Sequence, residues 1–149
     1  MGHPATGFTE TVSTNDLADA RITNAEIVVN ALPLTAATRG MYNQAFFDRL
    51  THQPIFITIG RGPSTNTDDL LAAIDNGKLG AAGLDVTDPE PLPADHPLWQ
   101  RENVLITSHI SGIHAEYLDE SIAIFNQNLS QFNVNGQVAI NQVDFKKGY

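Results

Sequence analysis

The sequence predicts an α/β fold, a parallel sheet with helices on its faces, and three observations lead there. Short apolar runs alternate with helical patterns along the chain. The runs are uniformly apolar rather than alternating, as expected of strands buried on both faces. The residues that can carry chemistry, Arg61, Asp85, Glu90 and His109, fall at or just beyond the ends of these runs, where ligands sit in such sheets.

Taken in order, residues 1–12 are rich in Gly, Pro and Thr and read as a loop with room for a short strand at Glu10 to Val12. Ser13-Thr14-Asn15-Asp16 matches a capping box ahead of Leu17, Ala18 and Ala20, so a short helix is expected to begin there. Glu26 to Leu32 holds the β-branched run Ile27-Val28-Val29 and stops at Pro33, which reads as a buried strand. Asn43 can cap a second short helix that carries Phe46, Phe47 and Leu50 on one side. Ile55 to Ile59 is the next strand, closed by Gly60-Arg61-Gly62-Pro63. Asn66-Thr67-Asp68-Asp69 opens a helix with Leu70, Leu71 and Ile74 inward, and Gly77 is its natural stop. Ala81 to Val86 and Val104 to Thr107 are the last strands, separated by a loop with Pro89, Pro91, Pro93 and Pro97. In the segment that follows, Leu118, Ile122, Phe125, Leu129 and Phe132 step by four, three, four and three, one face of a longer helix. Residues 135–149 read as extended and polar. Strands and helices of these lengths imply parallel pairing through right-handed crossovers.

With 149 residues and 42% apolar content the chain has the material for a real core. It has no cysteine, which excludes disulfides and thiolate catalysis and fits a reducing, cytoplasmic setting. A formal charge of -9 repels polyphosphates, so nucleic acid is not expected as a partner. No apolar run approaches membrane length, and the N-terminus lacks the layout of a signal peptide. His3, His52, His96 and His114 share no metal-ligand spacing, so no metal site is expected.

The strand-end residues suggest acid–base work on a small anion. Arg61 carries a planar, permanent cation that can hold a carboxylate through two parallel hydrogen bonds. An imidazole is the side chain suited to proton transfer near neutral pH, so His109 can move the proton that accompanies hydride transfer at a carbonyl. Glu90 beside it would orient the ring and stabilise the imidazolium, and Asp85 can accept a hydrogen bond from a carboxamide. Each also has a plainer reading. Arg61 between two glycines fits a surface loop, Glu90 between prolines fits a solvated charge, His109 fits a helix entrance, and Asp85 fits a turn after its strand. The Leu118–Phe132 stripe fits core or a subunit interface.

Five segments in register sharpen the choice. They are Ala31-Leu32-Pro33-Leu34-Thr35 with Thr38-Arg39-Gly40, Gly60-Arg61-Gly62-Pro63, Leu84-Asp85-Val86 with Glu90-Pro91, Pro97-Leu98-Trp99, and Thr107-Ser108-His109-Ile110-Ser111-Gly112. The chain resembles the C-terminal part of the D-isomer-specific 2-hydroxyacid dehydrogenase family, from these motifs through to Val143-Asp144-Phe145. The resemblance implies an incomplete Rossmann-like doubly wound sheet with helices on both faces and a long C-terminal helix. Residues 1–112 would be a partial NAD(P)-binding domain, and 113–149 a helix and tail that return to a substrate domain. It implies that Arg61 binds the substrate carboxylate, His109 is the acid/base and Glu90 pairs with it. Asp85 would face the nicotinamide carboxamide, with Ile59, Gly60 and Gly112 near the ring, while Leu32, Pro33 and Thr38 would line the adenosine and phosphate side. Three departures stand out. Pro63 replaces a common second glycine, Asn66 a usual aspartate, and Ser108 the proline before the histidine.

The larger departure is at the front. Family members carry a substrate-binding segment, then a strand, a Gly-x-Gly-x-x-Gly turn and a helix, and the 149 residues contain no such turn. Gly2-His3-Pro4 looks like the stretch after the second strand, which would place the residue choosing NAD or NADP ahead of residue 1. The chain is therefore expected to be a fragment, inactive alone, with an apolar edge at Ile27 to Ala31 that invites pairing and a homodimer. The other expectation is a non-catalytic dinucleotide-binding or oligomerisation module.

Overall fold

The computed structural model describes residues 10, 12, 13 and 16–146. The chain divides into two compact units, Met1–Ser108 and His109–Tyr149.

The first unit is built on four parallel strands, β1 (Ile27–Asn30), β2 (Ile55–Thr58), β3 (Ala81–Leu84) and β4 (Val104–Ile106), in the order β1-β2-β3-β4. Register pairs Asn30 with Thr58 and Thr58 with Leu84, so the strands end level with one another. That alignment is what places their exits along one rim.

Helix α1 (Ala20–Thr23) begins later than the capping-box reading expects, with Leu17 and Ala18 in a turn. Asp19 takes over as cap because its carboxylate accepts from both the backbone N–H and the guanidinium of Arg21. Those bonds hold the Asp19 carboxyl at about 2, well below the ordinary carboxylate range. Thr14 and Asn15 of the expected box lie outside the described residues. Glu10 and Val12 belong to no strand, and Thr11 is likewise outside.

Helix α2 (Gln44–Phe47) forms as expected, with the Asn43 side chain accepting from Phe46 N. It delivers Phe46 and Phe47 to an edge-to-face aromatic group with Tyr42 and with Phe56 of β2, centroids 5.0–5.5 Å apart. Burial pushes the Tyr42 phenol above its ordinary pKa. Helix α3 (Thr67–Asp75) is capped by Asn66 and carries Asp68 and Asp69 in its first turn, where the helix dipole favours them. It buries Leu70, Ala73 and Ile74, while Leu71 sits at the margin. Gly77, at φ +69°, supplies the left-handed stop.

These helices and the short turn at Pro97–Gln100 gather Phe56, Ala82, Leu84 and Leu98 into one core. The alternate strand positions differ from expectation. Ile27 is 57% exposed, Val29 53% and Leu105 68%, so Ile27–Val29 is not a strand buried on both faces. An apolar run reports what a strand tolerates on each face, and the period of two decides which side meets the core.

The second unit contains α4 (Tyr117–Asn135), which ends at Gly136 in the left-handed conformation, φ +70°. Its Leu118, Ile122, Phe125, Leu129 and Phe132 form the expected stripe, and all five are exposed. The tail folds back within this unit, where the Asn128 side chain bonds the backbone of Ala139 and Ile140.

Candidate active site

The exits of β1, β2 and β3 are pressed together by two glycines. A Cβ on Gly60 would lie 2.6 Å from Leu32 O, and one on Gly62 would lie 1.8 Å from Thr87 O. The turn that carries Arg61 is thus wedged between the backbone after β1 and the backbone after β3. No residue with a side chain fits at either position without moving main chain.

The first exit is a compact turn. The Thr38 hydroxyl, buried, donates to Pro33 O at 2.7 Å and accepts from Thr35 N at 2.8 Å. Leu32 donates its N–H to the Asn30 side chain. Ala31 and Leu32 also line a cleft of about 330 Å³ with Val12, Leu17, Ile22 and Val28. The second exit begins at Ile59, whose N–H donates to Asn30 O, and reaches Arg61 in extended conformation. Arg61 is exposed, and its Nη1 donates to Gly60 O at 2.7 Å. Pro63 sits in the following short turn, Gly62–Ser64, which holds the end of the arginine segment.

At the third exit Asp85 is buried, 6% exposed. Its N–H donates to Thr58 O, and its Oδ1 accepts from the Thr107 hydroxyl at 2.6 Å, which fixes the carboxylate between the ends of β2 and β4. The loop then passes Thr87 and Asp88, where the Thr67 hydroxyl of α3 donates to Asp88 O at 2.7 Å, and presents Glu90 exposed. The arginine turn and the loop leading to Glu90 are therefore in backbone contact, and Asp85 stands at the base of both. His109 and Gly112 belong to the second unit. There His109 is exposed at φ +55°, a conformation uncommon without glycine, and nothing lies within 4 Å of a Cβ built on Gly112. Among the described residues no group of three or more His, Asp or Glu could hold a metal ion.

Sequence reasoning overlooked the polar residues beneath the site. Asn30, Thr58 and Ser64 are each at most 1% exposed, and the Asn30 amide donates to both hydroxyls. The available signal was an asparagine closing an otherwise apolar strand.

A level parallel sheet with a carboxylate and a cation at its carboxyl edge is the α/β arrangement in which ligands sit at the strand exits. The model of the D-isomer specific 2-hydroxyacid dehydrogenase NAD binding domain matches residues 3–111, and the chain belongs to that family. It is 46% identical over 103 residues to the human glyoxylate reductase/hydroxypyruvate reductase, covering 69% of this chain and 30% of that protein. A phosphoglycerate dehydrogenase structure from Lactobacillus plantarum is 49% identical, with a TM-score of 0.73, 96% of this chain covered and 46% of that one. An NADPH-dependent glyoxylate/hydroxypyruvate reductase from Sinorhizobium meliloti, solved with NADP and sulfate, is 32% identical with a TM-score of 0.82, covering 94% of this chain and 45% of that one. The chain thus spans less than half the length of each of these relatives. The fold is Rossmann-like, as the motifs implied.

Proposed function

We propose that the chain supplies the NAD(P)-binding part of an oxidoreductase that interconverts a 2-keto acid and a D-2-hydroxy acid. The observation that carries this reading is the wedged arginine turn, a cation held at the carboxyl edge of the sheet by Gly60 and Gly62. Membership of the family supports it, as do the reductase names of the human and Sinorhizobium relatives.

The donor set fits the nicotinamide end of a dinucleotide. Asp85 is a buried acceptor-only group, anchored by Thr107 and matched to a carboxamide NH2. Ile59, Gly60 and Gly112 take the neighbourhood of the ring, and Leu32, Pro33 and Thr38 the adenosine and phosphate side. No Gly-x-Gly-x-x-Gly turn exists in this sequence, so no glycine cradle is assigned. Bound NADH or NADPH supplies a hydride. Arg61 grips the substrate carboxylate and polarises the keto oxygen, His109 donates the proton to that oxygen and recovers it in the reverse direction, and Glu90 steadies the imidazolium. In the assembled enzyme, loss of Arg61 or His109 costs on the order of 2–4 kcal/mol of transition-state stabilisation. The absence of cysteine fits a cytoplasmic setting.

Nitrogen-15 spectra of the arginine side chains during titration with oxamate, a keto-acid analogue, test the reading. The Arg61 Nε–H resonance should move saturably and the response should vanish in Arg61→Lys. An Arg61 signal that ignores oxamate removes the carboxylate assignment. The chain alone should not oxidise NADH in the presence of glyoxylate, and steady keto-acid-dependent oxidation would overturn that expectation.

A second reading is a non-catalytic dinucleotide-binding or oligomerisation module, and the exposed stripe of α4 favours it. It also supports a homodimer. Dinucleotide binding followed by Trp99 fluorescence, without turnover in any assembled form, would favour this module.

A further inference from the structure

We propose that Asn30 is a positioning residue for Arg61, a buried amide that sets where the guanidinium stands. The inference rests on the reading of Arg61 as the carboxylate-binding group. Asn30 is 0% exposed at the end of β1, in a segment otherwise apolar. A buried amide is costly unless its donors and acceptor are used. Here they are used on the site itself. Oδ1 accepts from Leu32 N at 3.2 Å. Nδ2 donates to Thr58 Oγ1 at 3.1 Å and to Ser64 Oγ at 2.7 Å. Ser64 Oγ donates in turn to Arg61 O at 2.7 Å.

One side chain therefore ties the exit of β1, the end of β2 and the arginine's own carbonyl. The backbone repeats the pattern, since Ile59 N donates to Asn30 O at 2.9 Å, two residues before Arg61. Gly60 and Gly62 fix the turn by contact, which resists approach but not sliding. The hydrogen bonds from Asn30 and Ser64 are directional and resist rotation of the turn about its long axis. The Arg61 side chain is exposed and makes one hydrogen bond among the described residues, from Nη1 to Gly60 O. What the rest of the turn fixes is the point from which that side chain departs. The Asn30–Ser64–Arg61 relay, beside the Ser64 N–H that donates to the same carbonyl at 3.1 Å, holds that backbone and with it the position from which the planar fork reaches a carboxylate.

The network separates positioning from plain stability. Thr58 and Ser64 both accept from Asn30 and are both buried, but only Ser64 passes the bond on to Arg61. Thr58→Val, Ser64→Ala and Asn30→Ala in the full chain are compared by thermal melting, by the Arg61 backbone amide and Nε–H resonances, and by oxamate titration. All three should lower the melting temperature. Ser64→Ala and Asn30→Ala should displace and broaden the Arg61 signals and weaken oxamate by about three- to tenfold. Thr58→Val should leave both at wild-type values. If Asn30→Ala does not fold, the Ser64→Ala and Thr58→Val pair decides. Arg61 signals unmoved in Ser64→Ala, or moved equally in Thr58→Val, overturn the inference. Wild-type protein that ignores oxamate defeats the carboxylate reading alone, because the Arg61 resonances still report whether Asn30 and Ser64 hold the turn.

Discussion

Gly62→Ala is the sharpest perturbation the strand exits offer. The new methyl carbon would start 1.8 Å from Thr87 O and 2.4 Å from Thr87 C, whereas ordinary contact begins near 3.4 Å. The arginine turn and the loop toward Glu90 must part by about 1.6 Å, the gap between the first and last of those distances. Both partners are main chain, so no rotamer absorbs the displacement. The loop is also pinned at Asp88 O by Thr67. Overpacking of this kind costs about 1–3 kcal/mol, and the rigid partner places Gly62→Ala at the upper end. For a chain of this length that corresponds to a fall of roughly 6–12 °C in melting temperature. Gly83→Ala is the control, because its nearest contact is the Ile57 side chain at 3.7 Å. It adds a methyl within a strand and should hold or slightly raise stability. Differential scanning calorimetry of both variants gives the comparison, and oxamate binding should weaken only in Gly62→Ala. Equal melting temperatures for Gly62→Ala and wild type would refute the claim that these exits are in rigid backbone contact.

Phe56→Ala removes a 0%-exposed ring that meets Tyr42 and Phe47 edge-on, and should cost about 3–5 kcal/mol in urea denaturation. Asp19→Asn tests the α1 cap. The Asp19 carboxyl is lowered from 3.8 to about 2 by Arg21, so its contribution is full above pH 3.8 and disappears as pH falls through 2. The variant should flatten the stability–pH curve in that window in acid titrations followed by circular dichroism. Ile122→Glu with Phe125→Glu places charge on the exposed stripe of α4. It should abolish any concentration-dependent association of the chain in analytical ultracentrifugation while leaving its helix content unchanged.

Strand positions were legible because they depend on composition over several residues. Ile27-Val28-Val29 and Ile55-Phe56-Ile57 admit little else, and both form the strands expected. The caps at Asn43 and Asn66 were legible because a single side chain supplies the missing acceptor. The start of α1 was not, because Ser13 and Asp19 are both competent caps, and an ion pair with Arg21 decides between them. Exposure was not legible either. Val28 and Val29 are alike in sequence, yet Val28 packs against the core while Val29 is 53% exposed. At the site, Arg61 and Asp85 stood out as charged residues ending apolar runs. Gly60 was read for its place near the nicotinamide and Gly62 as a turn residue, but the steric need at both is invisible until the backbone across from them is known. Ser64 gave no signal at all, because a serine after a proline turn is commonplace.

What links these observations is how a surface arginine becomes a precise one. In the structure Arg61 spends one donor on the neutral carbonyl of Gly60, at 2.7 Å. A carboxylate offers two charged acceptors in the plane of the fork, and charge-assisted pairs of that kind are about twice as strong as neutral ones. On the proposed role of Arg61, exchange of the first partner for the second is favourable, provided the guanidinium arrives without a search. A long side chain that must search gives up on the order of 2 kcal/mol of rotamer entropy, comparable to what the exchange gains. The glycine contacts and the Asn30–Ser64 bonds fix the backbone from which the side chain departs, which confines the search to the side-chain torsions. On the proposed reading, Asn30 and Ser64 adjust binding at this edge by about three- to tenfold without touching a ligand, a smaller share than the cation itself carries.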